Sequence, residues 1–160
     1  MNIQKITPFF WFNNQAEEAA NFYVSVFKNS RIVSISRYDK HSAEASGQPE
    51  GSVLVIAFEL EGQLFNAING GPMFQFSPAT SFLINCENQE EIDYYWEKLS
   101  EGGQAGQCGW IDRDKFGVTW QVVPKVLEDL LNDKDTDKAG RVMQSMLKMN
   151  KLVIADLKNA

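Results

Sequence analysis

Apolar and polar residues follow two different periods along this chain, and the changes of period mark its elements. Ile3–Phe12 is mainly apolar and aromatic, which suits a buried strand. A helix over 14–27 follows, with Ala19, Phe22, Tyr23 and Val26 at helical spacing and Glu17 and Glu18 in the first turn, where carboxylates complement the helix dipole. Asn13 or Asn14 is placed to cap it. Arg31–Tyr38 reads as a strand, and the polar, Gly-, Ser- and Pro-bearing stretch Asp39–Gly51 as a mobile loop. Ser52–Leu60 and Gln63–Asn69 form a hairpin across Glu61-Gly62, and Asn69-Gly70-Gly71-Pro72 is a turn. Thr80–Asn85 is a further strand, and 88–101 a helix ended by Gly102 and Gly103. Gln107–Asp112 and Val118–Val123 make a second hairpin around Asp114 and Gly117. Pro124 then opens a helical tail to Ala160, in which Val142, Met146, Met149, Val153 and Leu157 form one apolar stripe.

The pattern repeats itself. Phe9–Phe27 lies over Phe82–Ser100 without gaps at an offset of 73 residues (82 − 9), which superposes Glu17-Glu18 on Glu90-Glu91 and Phe22-Tyr23 on Tyr95-Trp96. Gly62–Asn66 lies over Gly117–Gln121 at an offset of 55 (117 − 62). The prediction is an α+β domain over 1–160: a βαβββ repeat at about 1–78, a second at about 79–123 and a helical extension at 124–160. The two copies are expected to pair into one curved, half-open mixed sheet. The helices near 14–27 and 88–101 cover its outer face, and the concave face lines a cleft suited to a small molecule.

Composition narrows the function classes. A net charge of −6 argues against a nucleic-acid groove, which needs clustered Lys and Arg. No apolar run approaches the roughly 20 residues of a membrane span, and the N-terminus lacks a signal-peptide pattern. Cys86 and Cys108 are at neither CxxC nor metal spacing and read as free thiols of a reducing, cytoplasmic compartment. His41 is the only histidine, which removes His-rich metal sites and, unless it serves itself, Ser–His–Asp triads.

Segments Ile6–Phe12, Gln15–Phe27, Asn69–Phe76, Gln89–Gly103, Gln107–Pro124 and Arg141–Leu157 resemble the vicinal oxygen chelate superfamily of glyoxalases, bleomycin-binding proteins and extradiol dioxygenases. Within it the chain is most similar to the PhnB-like branch, whose members often carry a ubiquinone-pathway methyltransferase label. The residues give that label no support. Gly70-Gly71 and Gly102-Gly103 are the only double glycines, and neither falls between a strand and a helix as a nucleotide-binding turn would. The resemblance implies a homodimer, for which the apolar tail stripe is a second reason, a fold-back of the tail onto its own sheet being the alternative. It also implies metal-ligand positions on the first and last strand of each repeat, here Pro8, Asn66, Ser81 and Gln121. None of these carries an imidazole, carboxylate or thiolate, so no metal and no cofactor is expected.

The expected ligand site is therefore an apolar cleft with amides. Alternation puts Phe10 and Phe12 on the cleft face with Pro8, and Phe9 and Trp11 toward the first helix. Trp110, with the amides of Asn66 and Gln121, joins them, and Asn69 stands at the rim in its glycine turn; an ordinary core or a tight turn is the other reading of each. Cys108, on a strand, is a candidate nucleophile if a cation such as Arg113 assists it. Asp112–Lys115 reads as a solvated hairpin tip. Three functions fit: a binding module for a small organic molecule, an enzyme of the glyoxalase/dioxygenase kind or of the labelled methyltransferase kind, and a non-catalytic dimeric interaction protein.

Overall fold

The computed structural model describes residues 4–160, so Ile3, which opens the first expected strand, lies outside the described residues. The chain separates into two compact units, Met1–Gln75 and Phe76–Ala160, and each is built on its own sheet. The first unit runs β1 (Phe9–Phe12), α1 (Ala16–Val26), β2 (Arg31–Arg37), α2 (Lys40–Ser46), β3 (Val53–Leu60) and β4 (Gln63–Asn69). The second runs β5 (Phe82–Cys86), α3 (Gln89–Ser100), β6 (Gln104–Ala105), β7 (Trp110–Arg113) and β8 (Trp120–Pro124), then α4 (Leu127–Leu131), α5 (Thr136–Met146) and α6 (Ile154–Lys158). Strand orders are β1-β4-β3-β2 and β5-β8-β7-β6. In both, the first strand joins the last in parallel and the other pairs are antiparallel. The same βαβββ topology thus occurs twice in an α+β chain with C-terminal helices, as the repeat predicts.

The repeat is not gapless. Helices α1 and α3 begin 73 residues apart (89 − 16), but Phe9 pairs with Asn66 whereas Leu83 pairs with Gln121, an offset of 74 (83 − 9) in the strand. The cause is the connector: Asn13–Gln15 joins strand to helix in the first unit, and only Glu87–Asn88 does so in the second. A strand moved by one residue presents its other face, so this single residue decides which side chains are open.

The faces of β1 are the reverse of the sequence reading. Phe10 and Phe12 are buried, and the Phe10 ring lies 6.4 Å from Tyr23 of α1, 6.3 Å from Phe58 and 5.7 Å from Phe65. Phe9 is 56% exposed and Trp11 half-buried on the opposite face. Both faces of Phe-Phe-Trp-Phe are apolar, so alternation alone does not say which one meets the helix. In the second unit, Ile92, Tyr95 and Leu99 of α3 are buried, as are Ile111, Trp120 and Val122 of β7 and β8.

Three polar residues do structural work that the sequence reading missed. Neither Asn13 nor Asn14 caps α1. Asn69, 7% exposed at the end of β4, does so from 53 residues away: its Oδ1 accepts from the Ala16 N–H at 2.8 Å, and its Nδ2 donates to the Val53 carbonyl at 3.2 Å. The Tyr38 hydroxyl donates to the Asn69 carbonyl at 2.6 Å. Asp114 is 2% exposed and not part of a solvated tip. Its Oδ1 accepts from the N–H groups of Phe116 and Val118, and its Oδ2 from Trp120 Nε1 at 2.8 Å. Asp39 forms a capping box with Ser42, which turns part of the expected loop into α2, closed by Gly47 at φ +73°.

The tail also departs from expectation. Pro124 ends β8, and the helical stretch is broken between α5 and α6. Leu127, Val142, Leu152 and Leu157 form a buried cluster with Met146 and Met149 packed on it. Most of the apolar stripe is therefore satisfied inside the second unit, and the tail supplies no separate reason for a dimer. Among the described residues, no helix is long and apolar enough to cross a membrane.

Asn69→Ala leaves the Ala16 N–H and Val53 carbonyl without these partners and should lower unfolding free energy by about 2–3 kcal/mol in urea titration. Cys86 is fully buried, and burial, then the Glu91 charge, pushes its thiol up to about 12 from 9.0. The native state therefore holds this proton more tightly than the unfolded chain. Its stabilisation is full below the unfolded value of 9.0 and is lost as pH rises toward 12. The unfolding free energy from denaturant titration should fall across that window by about 1.4 kcal/mol per pH unit from this group, and Cys86→Ala should lack that slope.

Candidate functional site

In each unit the parallel pair brings two side chains together on the sheet face away from the helix. In the first unit these are Phe9 and Asn66, with Trp11 beside Ile68 one step along. In the second, Gln121 stands between Leu83 on β5 and Trp110 on β7, as partner of both. Leu83 is 50% exposed, and Trp110 and Gln121 are half-buried. Gln121 Nε2 donates to Ser81 Oγ at 2.8 Å, which fixes the amide plane. Among the described residues its Oε1 takes no hydrogen bond and is not a buried unpaired atom, so a residue paired with a leucine and a tryptophan keeps one acceptor open.

Of the residues predicted for the site, Trp110 and Gln121 come together and Asn66 holds the equivalent place in the first unit. Phe10 and Phe12 are core, and Asn69 is a buried cap. Cys108 is not on a strand. It lies in the turn before β7, half-buried, with φ +56°. Arg113 is at the far end of β7, about 10 Å along the strand, and does not neighbour that thiol. Phe9 and Leu83 were missed as a matched pair; the signal that finds them is the strand register together with their exposure.

The glycine turn after β4 is explained by Trp11. A Cβ on Gly70 would lie 2.2 Å from the indole, and Trp11 Nε1 donates to the Gly71 carbonyl at 2.9 Å. Phe74 meets the same indole edge-on at 4.9 Å. Close ring packing therefore requires glycine at position 70.

The register also tests the metal expected of the fold. The positions facing Asn66 and Gln121 are Phe9 and Leu83 instead of Pro8 and Ser81. Two hydrocarbons and two neutral amides do not fit a divalent cation, which takes carboxylates, imidazoles or thiolates. Among the described residues no group of three or more His, Cys, Asp or Glu is placed to hold one.

Comparison with known proteins agrees with this architecture. The family model for 3-demethylubiquinone-9 3-methyltransferase matches residues 4–123. The PhnB protein from Bacillus cereus is 41% identical over 76% of this chain and 99% of its own, with a TM-score of 0.67. Protein PA1353 from Pseudomonas aeruginosa (17% identity, 77% of this chain and 98% of that one, TM-score 0.59) shares the fold. So does the fosfomycin resistance protein FosX from Listeria monocytogenes (18%, 81% and 97%, TM-score 0.53). A search of the curated proteins returns no match. The chain belongs to the family described as 3-demethylubiquinone-9 3-methyltransferase, a PhnB-like branch of the vicinal oxygen chelate superfamily.

Proposed function

We propose that the chain binds a small, planar organic molecule on the open sheet face of the second unit, without a metal. The observation that carries this reading is the row Leu83–Gln121–Trp110, in which one oriented amide acceptor sits between two apolar surfaces. Such a row holds an aromatic or conjugated body against the indole and accepts one hydrogen bond from it. Methyl transfer is not proposed on the family description alone. Gly70-Gly71 follows a strand and leads to no helix before β5, and Gly102-Gly103 follows α3 and leads into β6.

The probe 8-anilinonaphthalene-1-sulfonate combines an aromatic body with one N–H donor. Trp110→Ala and Gln121→Ala should each weaken its binding about fivefold, from roughly 1 kcal/mol of stacking or hydrogen bonding. Asn66→Ala and added EDTA should leave it unchanged. Equal affinity in all variants, measured by fluorescence titration, would overturn the reading.

We also propose that the protein is a homodimer. The superfamily resemblance supports this, as do exposed apolar side chains such as Val33, Ile35 and Met73. Light scattering at micromolar concentration should give twice 18.1 kDa, and a single-chain mass would refute it.

A further inference from the structure

The 37 residues after the family match (160 − 123) include a segment that grips the candidate site from outside the sheet. The N–H groups of Cys108 and Gly109 donate to the carbonyls of Met149 and Asn150, both at 2.8 Å. Both donors have left-handed φ, +56° and +82°, which is unfavourable for a cysteine and needs external support. The Gly109 carbonyl in turn accepts from the Val122 N–H at 2.7 Å, next to Gln121, and the chain passes directly from Gly109 into Trp110. A Cβ at Gly109 would meet the Val122 carbonyl at 2.7 Å and Leu152 Cδ1 at 3.0 Å, so turn, strand and tail are packed without slack.

One side chain clips this strap to α3. Gln89 Nε2 donates to the Leu152 carbonyl at 3.1 Å, and its Oε1 accepts from the Ile154 N–H at 2.8 Å, as a neighbouring strand would. Gln89 Nε2 also donates to Asp93 Oδ1 at 3.1 Å, and Asp93 pairs with Lys151 at 2.6 Å. These contacts anchor the tail on both sides of Leu152, which is fully buried.

We propose that Gln89 is a positioning residue for the ligand face: it clips the 149–154 strap, and the strap holds the left-handed Cys108–Gly109 turn that aims Trp110 and seats the strand of Gln121. This rests on the reading that a ligand binds that face. The residue touches no ligand and acts through the strap.

The test is Gln89→Met in the full-length protein, a substitution of similar length that removes the clip. Amide hydrogen exchange at Cys108, Gly109 and Val122 should quicken tenfold or more, while Ile56 and Ala67 of the first unit keep their rates. Affinity for 8-anilinonaphthalene-1-sulfonate should fall severalfold. Gln89→Glu keeps an acceptor for Ile154 and should fall between. Faster exchange at Ile154 with unchanged Cys108 and Gly109 overturns the proposal, as does faster exchange at the turn with undiminished probe affinity. Trp110→Ala is the reference: if it too leaves probe affinity intact, the ligand reading has failed, and the exchange rates alone decide whether the strap holds the turn. Should Gln89→Met unfold the second unit, Lys151→Met loosens the same strap at its exposed edge and is read by the same rates.

Discussion

The parallel pairing of the first strand with the last, made once in each unit, is the constraint on which the rest depends. Parallel neighbours need a crossover, and the crossover here is the helix that covers one face of the sheet. The covered face takes Phe10, Phe12, Phe65 and Ala67 in one unit and Trp120 and Val122 in the other. Whatever pairs in alternate register is left on the open face, so Phe9–Asn66 and Leu83–Gln121 are fixed by backbone hydrogen bonding before any ligand is considered. The residue types then limit the chemistry: a neutral amide beside a hydrocarbon lacks the carboxylate, imidazole or thiolate that a divalent cation takes.

Much of this was legible in the chain. The aromatic strands, the two helices and the Glu61-Gly62 hairpin follow from period and turn chemistry, and both turn residues have the positive φ that such a tight turn demands, +48° and +81°. Duplication was legible too, because helix patterns carry carboxylate and aromatic pairs in register. The one-residue difference in the connectors was not. Helical matches outweigh a four-residue strand in an ungapped comparison, and Phe-Phe-Trp-Phe offers no polar residue to reveal its phase. Alternation counted from Pro8 put Phe10 and Phe12 on the cleft face, and the connector difference hid Leu83 as the counterpart of Phe9.

Asn69 and Asp114 were misread for a related reason. A polar residue beside glycine in a turn resembles a solvated or ligand-facing group when only neighbours in sequence are visible. Each is instead buried and hydrogen-bonded: Asn69 accepts from α1 and donates to Val53 at the start of β3, and Asp114 closes its own turn and takes the Trp120 indole N–H. Burying such groups is favourable only when they are hydrogen-bonded. The Asn69 partner on α1 lies 53 residues away and leaves no local signature, whereas the partners of Asp114 are within six residues and become visible only once the turn is folded.

The broken tail follows the same logic. An unbroken helix from 141 to 157 would commit the carbonyls of Met149 and Asn150 to its own turns. In the fold those two carbonyls serve the N–H groups of Cys108 and Gly109, which the left-handed turn directs away from the sheet. The helix therefore stops at Met146, and the chain passes through a turn and a bend before Val153 leads into α6. Leu152 gains burial that a helix continuing the stripe would have given to Val153. Apolar spacing predicted a helix because it registers only side chains. The competing demand comes from two backbone donors in another segment, and meeting it joins the tail to the turn that carries Trp110.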